Sequence, residues 1–102
     1  MSDPQAVLAA LADPTRRAVF ERLNSKGPAS ASELALELPV TRQAIAKHLS
    51  HLGSVGLVDR SHQGRQVVFE ARVAPLGEVA SWLETVGSEW DDRLERLRGS
   101  FE

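Results

Sequence analysis

The chain has no cysteine, which excludes a disulfide framework, a thiolate metal cluster and a cysteine nucleophile, and fits a reducing compartment. It has no tyrosine, and its aromatic residues are only Phe20, Phe69, Trp82, Trp90 and Phe101. It has no long hydrophobic run. The longest lies within Ala6–Ala12, far short of the ~18 residues that a membrane span needs. The opening Met1-Ser2-Asp3-Pro4 has neither a basic nor an apolar signal-peptide region. A cytoplasmic protein without a membrane partner is expected.

What is present points to a globular chain, with 42% hydrophobic and 25% charged residues among 102. That length suits one small domain, residues 1–102, and leaves no room for a cleft between two domains. So small a domain often gains stability by oligomerising. The net charge of −2 is unevenly spread. The stretch from Val40 to Arg72 sets Arg42, Lys47, Arg60, Arg65 and Arg72 against Asp59 and Glu70, and also holds His48, His51 and His62. The segments on either side are net acidic. A basic middle between acidic flanks points to one face that meets an anion.

Helix punctuation is clear. Asp3-Pro4 and Asp13-Pro14 each place a capping carboxylate before a proline at the first helical position. The first helix carries Val7, Leu8 and Leu11. The second runs from Pro14 to about Ser25 over Ala18, Val19 and Leu23, and Gly27 stops it. Ser30-Ala31-Ser32-Glu33 is a capping box that opens a helix over Leu34 and Leu38, ended by Pro39. Thr41 caps the next, whose apolar face is Ile45, Leu49 and Leu52. Joined by little more than Pro39-Val40, these two helices must cross steeply, as in a helix-turn-helix.

The period then changes. Leu57–Arg60 and Gln66–Ala71 read as two strands, with Ser61-His62-Gln63-Gly64-Arg65 as the loop between them. Such a hairpin is marginal alone and must pack on the helices. From Pro75 to about Arg98 a long helix follows, its apolar seam formed by Leu76, Val79, Leu83, Val86, Trp90, Leu94 and Leu97. Gly87 weakens its middle by ~1 kcal/mol relative to alanine and makes a bend there possible. The fold class expected is mainly α with a small β-hairpin, a winged helix-turn-helix of five helices and a two-stranded wing.

Several segments in this order resemble the bacterial ArsR-type family of transcriptional regulators (arsenic-repressor and metallothionein-repressor proteins). They are Ala12-Asp13-Pro14-Thr15-Arg16-Arg17, Glu33-Leu34-Ala35, Ala46-Lys47-His48-Leu49, Gly56-Leu57-Val58 and Gly64-Arg65. The ending, with Ser81-Trp82-Leu83, Glu89-Trp90 and Arg93-Leu94, is similar to a metal-independent branch. The resemblance implies a homodimer that binds double-stranded operator DNA, usually as a repressor. The second helix of the motif would enter the major groove and the wing would touch flanking DNA. The first and last helices would form the dimer interface, here Val7, Leu8, Leu11, Leu76, Val79, Trp82, Leu83, Val86, Trp90, Leu94 and Leu97.

Helical geometry supports the groove contact. With Ile45, Leu49 and Leu52 inward, Gln43, Lys47 and Ser50 face outward and Ala44 and His51 flank them. Gln pairs bidentately with adenine, Lys reaches guanine or phosphate, and Ala suits a thymine methyl. Thr41 is first a cap and second a phosphate contact. Arg42, Arg60 and Arg65, with Arg17, are the other phosphate candidates, and His62 and Gln63 join them on the wing. His48 and His51, three apart, form a polar or DNA-contacting pair rather than a metal site, since no third ligand is evident. The family's Cys-x-Cys metal motif falls on Ser30 and Ser32, and its last-helix histidines are missing between Pro75 and Glu102. No metal and no cofactor are therefore expected, and the effector is open. The competing reading is a winged-helix module that binds protein. An enzyme is not expected, because Asp91 and Asp92 point to different helix faces, no serine–histidine–acid set is placed together, and no glycine-rich phosphate loop exists.

Overall fold

The computed structural model describes residues 3–100; Met1, Ser2, Phe101 and Glu102, two of which belong to the opening read above and one to the aromatic set, lie outside it. The order is α1 (Pro4–Ala12), α2 (Pro14–Lys26), α3 (Ala31–Glu37), α4 (Arg42–Ser54), β1 (Val58–Gln63), β2 (Gln66–Ala71) and α5 (Ala74–Ser100). This is the expected class: five helices and one antiparallel two-stranded sheet.

Each predicted cap forms. The Asp3 carboxylate accepts from Gln5 N at 3.0 Å and Asp13 from Arg16 N at 2.8 Å. Ser30 and Glu33 exchange both capping-box bonds, at 3.1 and 3.2 Å, and Thr41 accepts from Ala44 N at 3.1 Å. Each such cap is worth about 1 kcal/mol. Gly27 ends α2 at φ +98°, a conformation that L side chains rarely adopt, and its N–H returns to Leu23 O. The carbonyls at the end of α1 find donors on α2: Arg16 Nε binds Ala10 O at 2.6 Å and Arg17 binds Leu11 O at 3.0 Å. Arg22 reaches both Glu37 and Gly27 O, tying α2 to α3 and to its own C-terminal end.

The core lies where α1, α2, α3, α4 and the base of the hairpin meet. Val19, Phe20, Leu23, Leu34, Ile45, Leu49, Leu52 and Leu57 fill it. On α2 the inward positions are Val19, Phe20 and Leu23, so Phe20 takes the core place that the spacing had offered to Ala18. Burying a phenylalanine in place of an alanine adds about 100 Å² or more of apolar contact, which decides how the helix rolls.

The hairpin differs from expectation. Ser61, His62 and Gln63 are strand residues, paired with Val68, Val67 and Gln66, so the turn is only Gly64 and Arg65. Polar residues can extend an exposed strand because the ladder bonds are made by the backbone. Gly64, at φ +63°, sits in the first central place of a two-residue turn, where glycine reverses the chain without splaying the strands. A short bridge from Ala29, just before α3, adds to the far side of β2 through Ala29 N to Phe69 O at 3.1 Å and Phe69 N to Ala29 O at 2.8 Å. It ties the wing to the helix-turn-helix. The last helix runs unbroken through Gly87 and packs chiefly on α1. Its 27 residues carry it well past α1, and the whole molecule measures 67 Å along its longest axis. Among the described residues no helix is long and apolar enough to cross a membrane.

Candidate nucleic-acid interface

The helix-turn-helix is α3, the link Leu38–Thr41, and α4. Its second helix buries Ile45, Leu49 and Leu52 and turns Arg42, Gln43, Ala46, Lys47, Ser50 and His51 to solvent. The predicted outward trio of Gln43, Lys47 and Ser50 is thus exposed, and Thr41 is exposed as well as capping. Two predicted residues sit closer in. Ala44 is half-buried, and so is His48, whose positive potential helps hold the Asp13 carboxyl below its ordinary value, although the bond from Arg16 N–H does more. His48 therefore belongs to the seam between α4 and the start of α2. His51 stands free in solvent on the last turn of α4.

Ala46, which sequence reasoning left out, is exposed on α4 beside the trio. It sits about 100° round the helix from the core face, so the angular spacing that found Lys47 contained the signal.

On the wing, Arg60 faces across the ladder from Phe69, and Arg65 stands at the turn with His62 and Gln63 just before it. All four are exposed. The wing folds back toward α4, so that Arg60 and Phe69 line one groove with Ser50 and Gly53. Arg60 is thereby brought to the same side as the outward face of the second helix. Among the described residues Arg42, Lys47, Arg60 and Arg65 make no ion pair, while Arg72 is paired with Asp59 at the base of the wing. Pairing there raises the Arg72 pKa. The four unpaired cations are left open to an external anion. Arg17 is different: one of its N–H groups is already given to Leu11 O.

The position of the family's first metal-binding cysteine holds Ser30, which is buried and committed to the α3 capping box.

The second predicted surface splits in two. Val7 and Val79, assigned to an interface between copies, are only 0% and 6% exposed and are core residues of the single chain. That part of the expectation is corrected: α1 and the first turns of α5 must seal the core before they can offer anything to a partner. Leu11 and Leu76 are partly buried against the same core. Beyond them the seam opens. Val86 is half-buried, and Leu8, Trp82, Leu83, Trp90, Leu94 and Leu97 are exposed, with Trp82 at 47% and Trp90 at 55%. Monomers rarely leave two tryptophans and three leucines open along one helix.

Comparison with known proteins agrees with this geometry. Residues 11–61 match the family described as a helix-turn-helix domain. The chain is 45% identical in sequence to an ArsR-like transcriptional regulator from Rhodococcus sp. RHA1, with a TM-score of 0.84 over 92% of this chain and 88% of that one. It is 43% identical to the HTH-type transcriptional regulator Rv2034 of Mycobacterium tuberculosis, over 76% of this chain and 69% of that protein. It is 36% identical to the uncharacterized HTH-type transcriptional regulator YuzN of Bacillus subtilis, over 78% of this chain and 94% of that protein.

Proposed function

The chain belongs to the ArsR family of winged helix-turn-helix transcriptional regulators, and from that premise we propose that it acts in the cytoplasm as a homodimeric repressor that reads operator DNA with α4 and grips the flanking duplex with its wing. It is a regulator and not an enzyme. The observation that carries the finer reading is the shared side of α4 and the hairpin: Ser50, exposed on α4 with Gln43 and Lys47, lines one groove with Arg60, which has no ion-pair partner among the described residues.

The division of labour follows from chemistry. Gln43 and Lys47 lie in the first half of α4, the part of a recognition helix that meets base edges in the major groove. Gln43 has the paired donor and acceptor that adenine matches, and Lys47 suits guanine or phosphate. Arg42, Arg60 and Arg65, with the Thr41 hydroxyl, suit phosphates, which position the protein but carry little sequence. His62 and Gln63 add polar reach along the wing, with His51 at the end of α4 and Ala44 and His48 at its inner edge.

The dimer would form along α5, where Trp82, Leu83, Trp90 and Leu94 are exposed, with Leu8 of α1 at its margin. A two-fold pair of this kind calls for an imperfect palindrome with half-sites about one helical turn (~34–36 Å), or a multiple of it, apart.

The test is a mobility-shift titration on the DNA flanking the protein's own gene. Gln43→Ala should cost ~1–3 kcal/mol on the operator and relax the preference at one base position per half-site. Arg65→Ala should weaken operator and random DNA alike, and lower the salt slope by roughly one unit per subunit. Base preference altered by Arg65→Ala and untouched by Gln43→Ala would refute the assigned groove geometry.

A further inference from the structure

Between the outward side of α4 and the inner face of the hairpin lies a groove of about 340 Å³. We propose that it is a binding site for a small aromatic monocarboxylate, and that an occupant competes with DNA for Arg60; the competition, though not the binding, rests on the DNA reading above.

The volume falls in the range of small-molecule sites, about 300–1,000 Å³. Its floor is apolar: Leu49 and Val58 are buried, and Phe69 is half-buried, leaving part of its ring open to the groove. A flat ring stacked or set edge-on against Phe69 gains both apolar contact and the preferred aromatic geometry. Each wall supplies one polar side chain, Arg60 from the hairpin and Ser50 from α4. Arg60 lines the groove, lies directly across the ladder from Phe69, and has no ion-pair partner among the described residues. Its guanidinium matches a carboxylate bidentately, and the Ser50 hydroxyl on the facing wall is a further donor. With one cation in the lining, a single negative charge is the match.

Gly53 adds a second argument. A Cβ there would meet only Val58 O, at 3.7 Å, which is ordinary van der Waals contact, and its φ is not in the left-handed region. The fold thus does not require glycine at this place. The missing side chain leaves room in the groove.

Occupancy would tell on DNA directly. A carboxylate bound to Arg60 neutralises a cation that the duplex backbone would otherwise use, and it lies against Ser50 of the recognition helix. Ligand and operator then exclude each other in part, and the effect is reciprocal.

The test uses naphthoate and its uncharged amide, naphthamide, titrated into the full-length protein and followed by amide NMR shifts. Naphthoate should saturate, with the largest shifts at Leu49, Gly53, Val58 and Phe69. Naphthamide should bind about tenfold more weakly, and Arg60→Gln should bring naphthoate down to the same level. Gly53→Ala, which the packing accommodates, should weaken both compounds. Failure to saturate, shifts confined to α1 and α5, or full naphthoate affinity in Arg60→Gln would overturn the site. In a second titration naphthoate should weaken operator binding by wild type. Unchanged operator binding with naphthoate seated in the groove would overturn the competition. Loss of all operator binding without naphthoate would instead refute the proposed function.

Discussion

Replacing Trp90 by alanine tests the proposed dimer at the more exposed of the two tryptophans on α5. The ring is 55% open in the single chain, with the Arg93 guanidinium 5.0 Å from its centre. A tryptophan has about 250 Å² to bury, so roughly half of that, ~130 Å², awaits a partner on each copy. At about 25 cal/mol per Å² this amounts to ~3 kcal/mol per copy and ~6 kcal/mol per two-fold pair, an upper limit because part of the gain is lost to ordering and imperfect packing. Trp90→Ala should therefore raise the dimer dissociation constant by about two to four orders of magnitude, since each 1.4 kcal/mol is tenfold. Sedimentation equilibrium across a concentration series reads this directly. Val79→Ala is the contrasting variant: at 6% exposure its side chain is in the core, so it should lower thermal stability at every concentration. Trp90→Ala should act only through the concentration dependence. A wild-type protein that sediments only as an 11.1 kDa species at micromolar concentration would refute the reasoning, as would a Trp90→Ala protein with unchanged association.

Operator binding should fall by orders of magnitude between 50 mM and about 200 mM salt, because phosphate contacts from Arg42, Arg60 and Arg65 must outweigh a net charge of −2; a flat response would favour a protein partner instead. Micromolar zinc, cadmium or arsenite should not release the operator, since Ser30 is held in the α3 cap and the last helix has no histidine; metal-specific release abolished by changing His48 or His51 would show that pair to be a sensor. Stability should fall with acid. The Arg16 N–H lowers the Asp13 pKa and the Arg22 guanidinium lowers that of Glu37, so both contribute above the ordinary carboxylate pKa and are lost as pH falls through the lowered values. Urea midpoints measured below about pH 4 should drop less for Glu37→Gln than for wild type, and an equal drop would exclude that pair as a contributor.

The chain's local chemistry was enough to locate its helices. Asp3, Asp13, Ser30 and Thr41 act as caps whatever surrounds them, because a cap is satisfied by N–H groups two or three residues away. The outward trio on α4 followed from the spacing of Ile45, Leu49 and Leu52 alone, since one buried face determines the opposite one. The order of these elements was also sufficient for the winged helix-turn-helix, and segments such as Ala12–Arg17 and Ala46–Leu49 carried the resemblance to the family. Other features depended on contacts between residues far apart in sequence. The wing is longer than its polar residues implied because Val67 and Val68 supply the backbone partners for His62 and Ser61. Ala29 joins β2 through two backbone bonds that leave no mark on side-chain pattern. The apolar seam of α5 reads as one stripe, and nothing in its period separates Val79, sealed against the core, from Trp90, left open. That boundary falls where α5 runs on past α1, because a helix buries only the turns that its neighbour is long enough to cover.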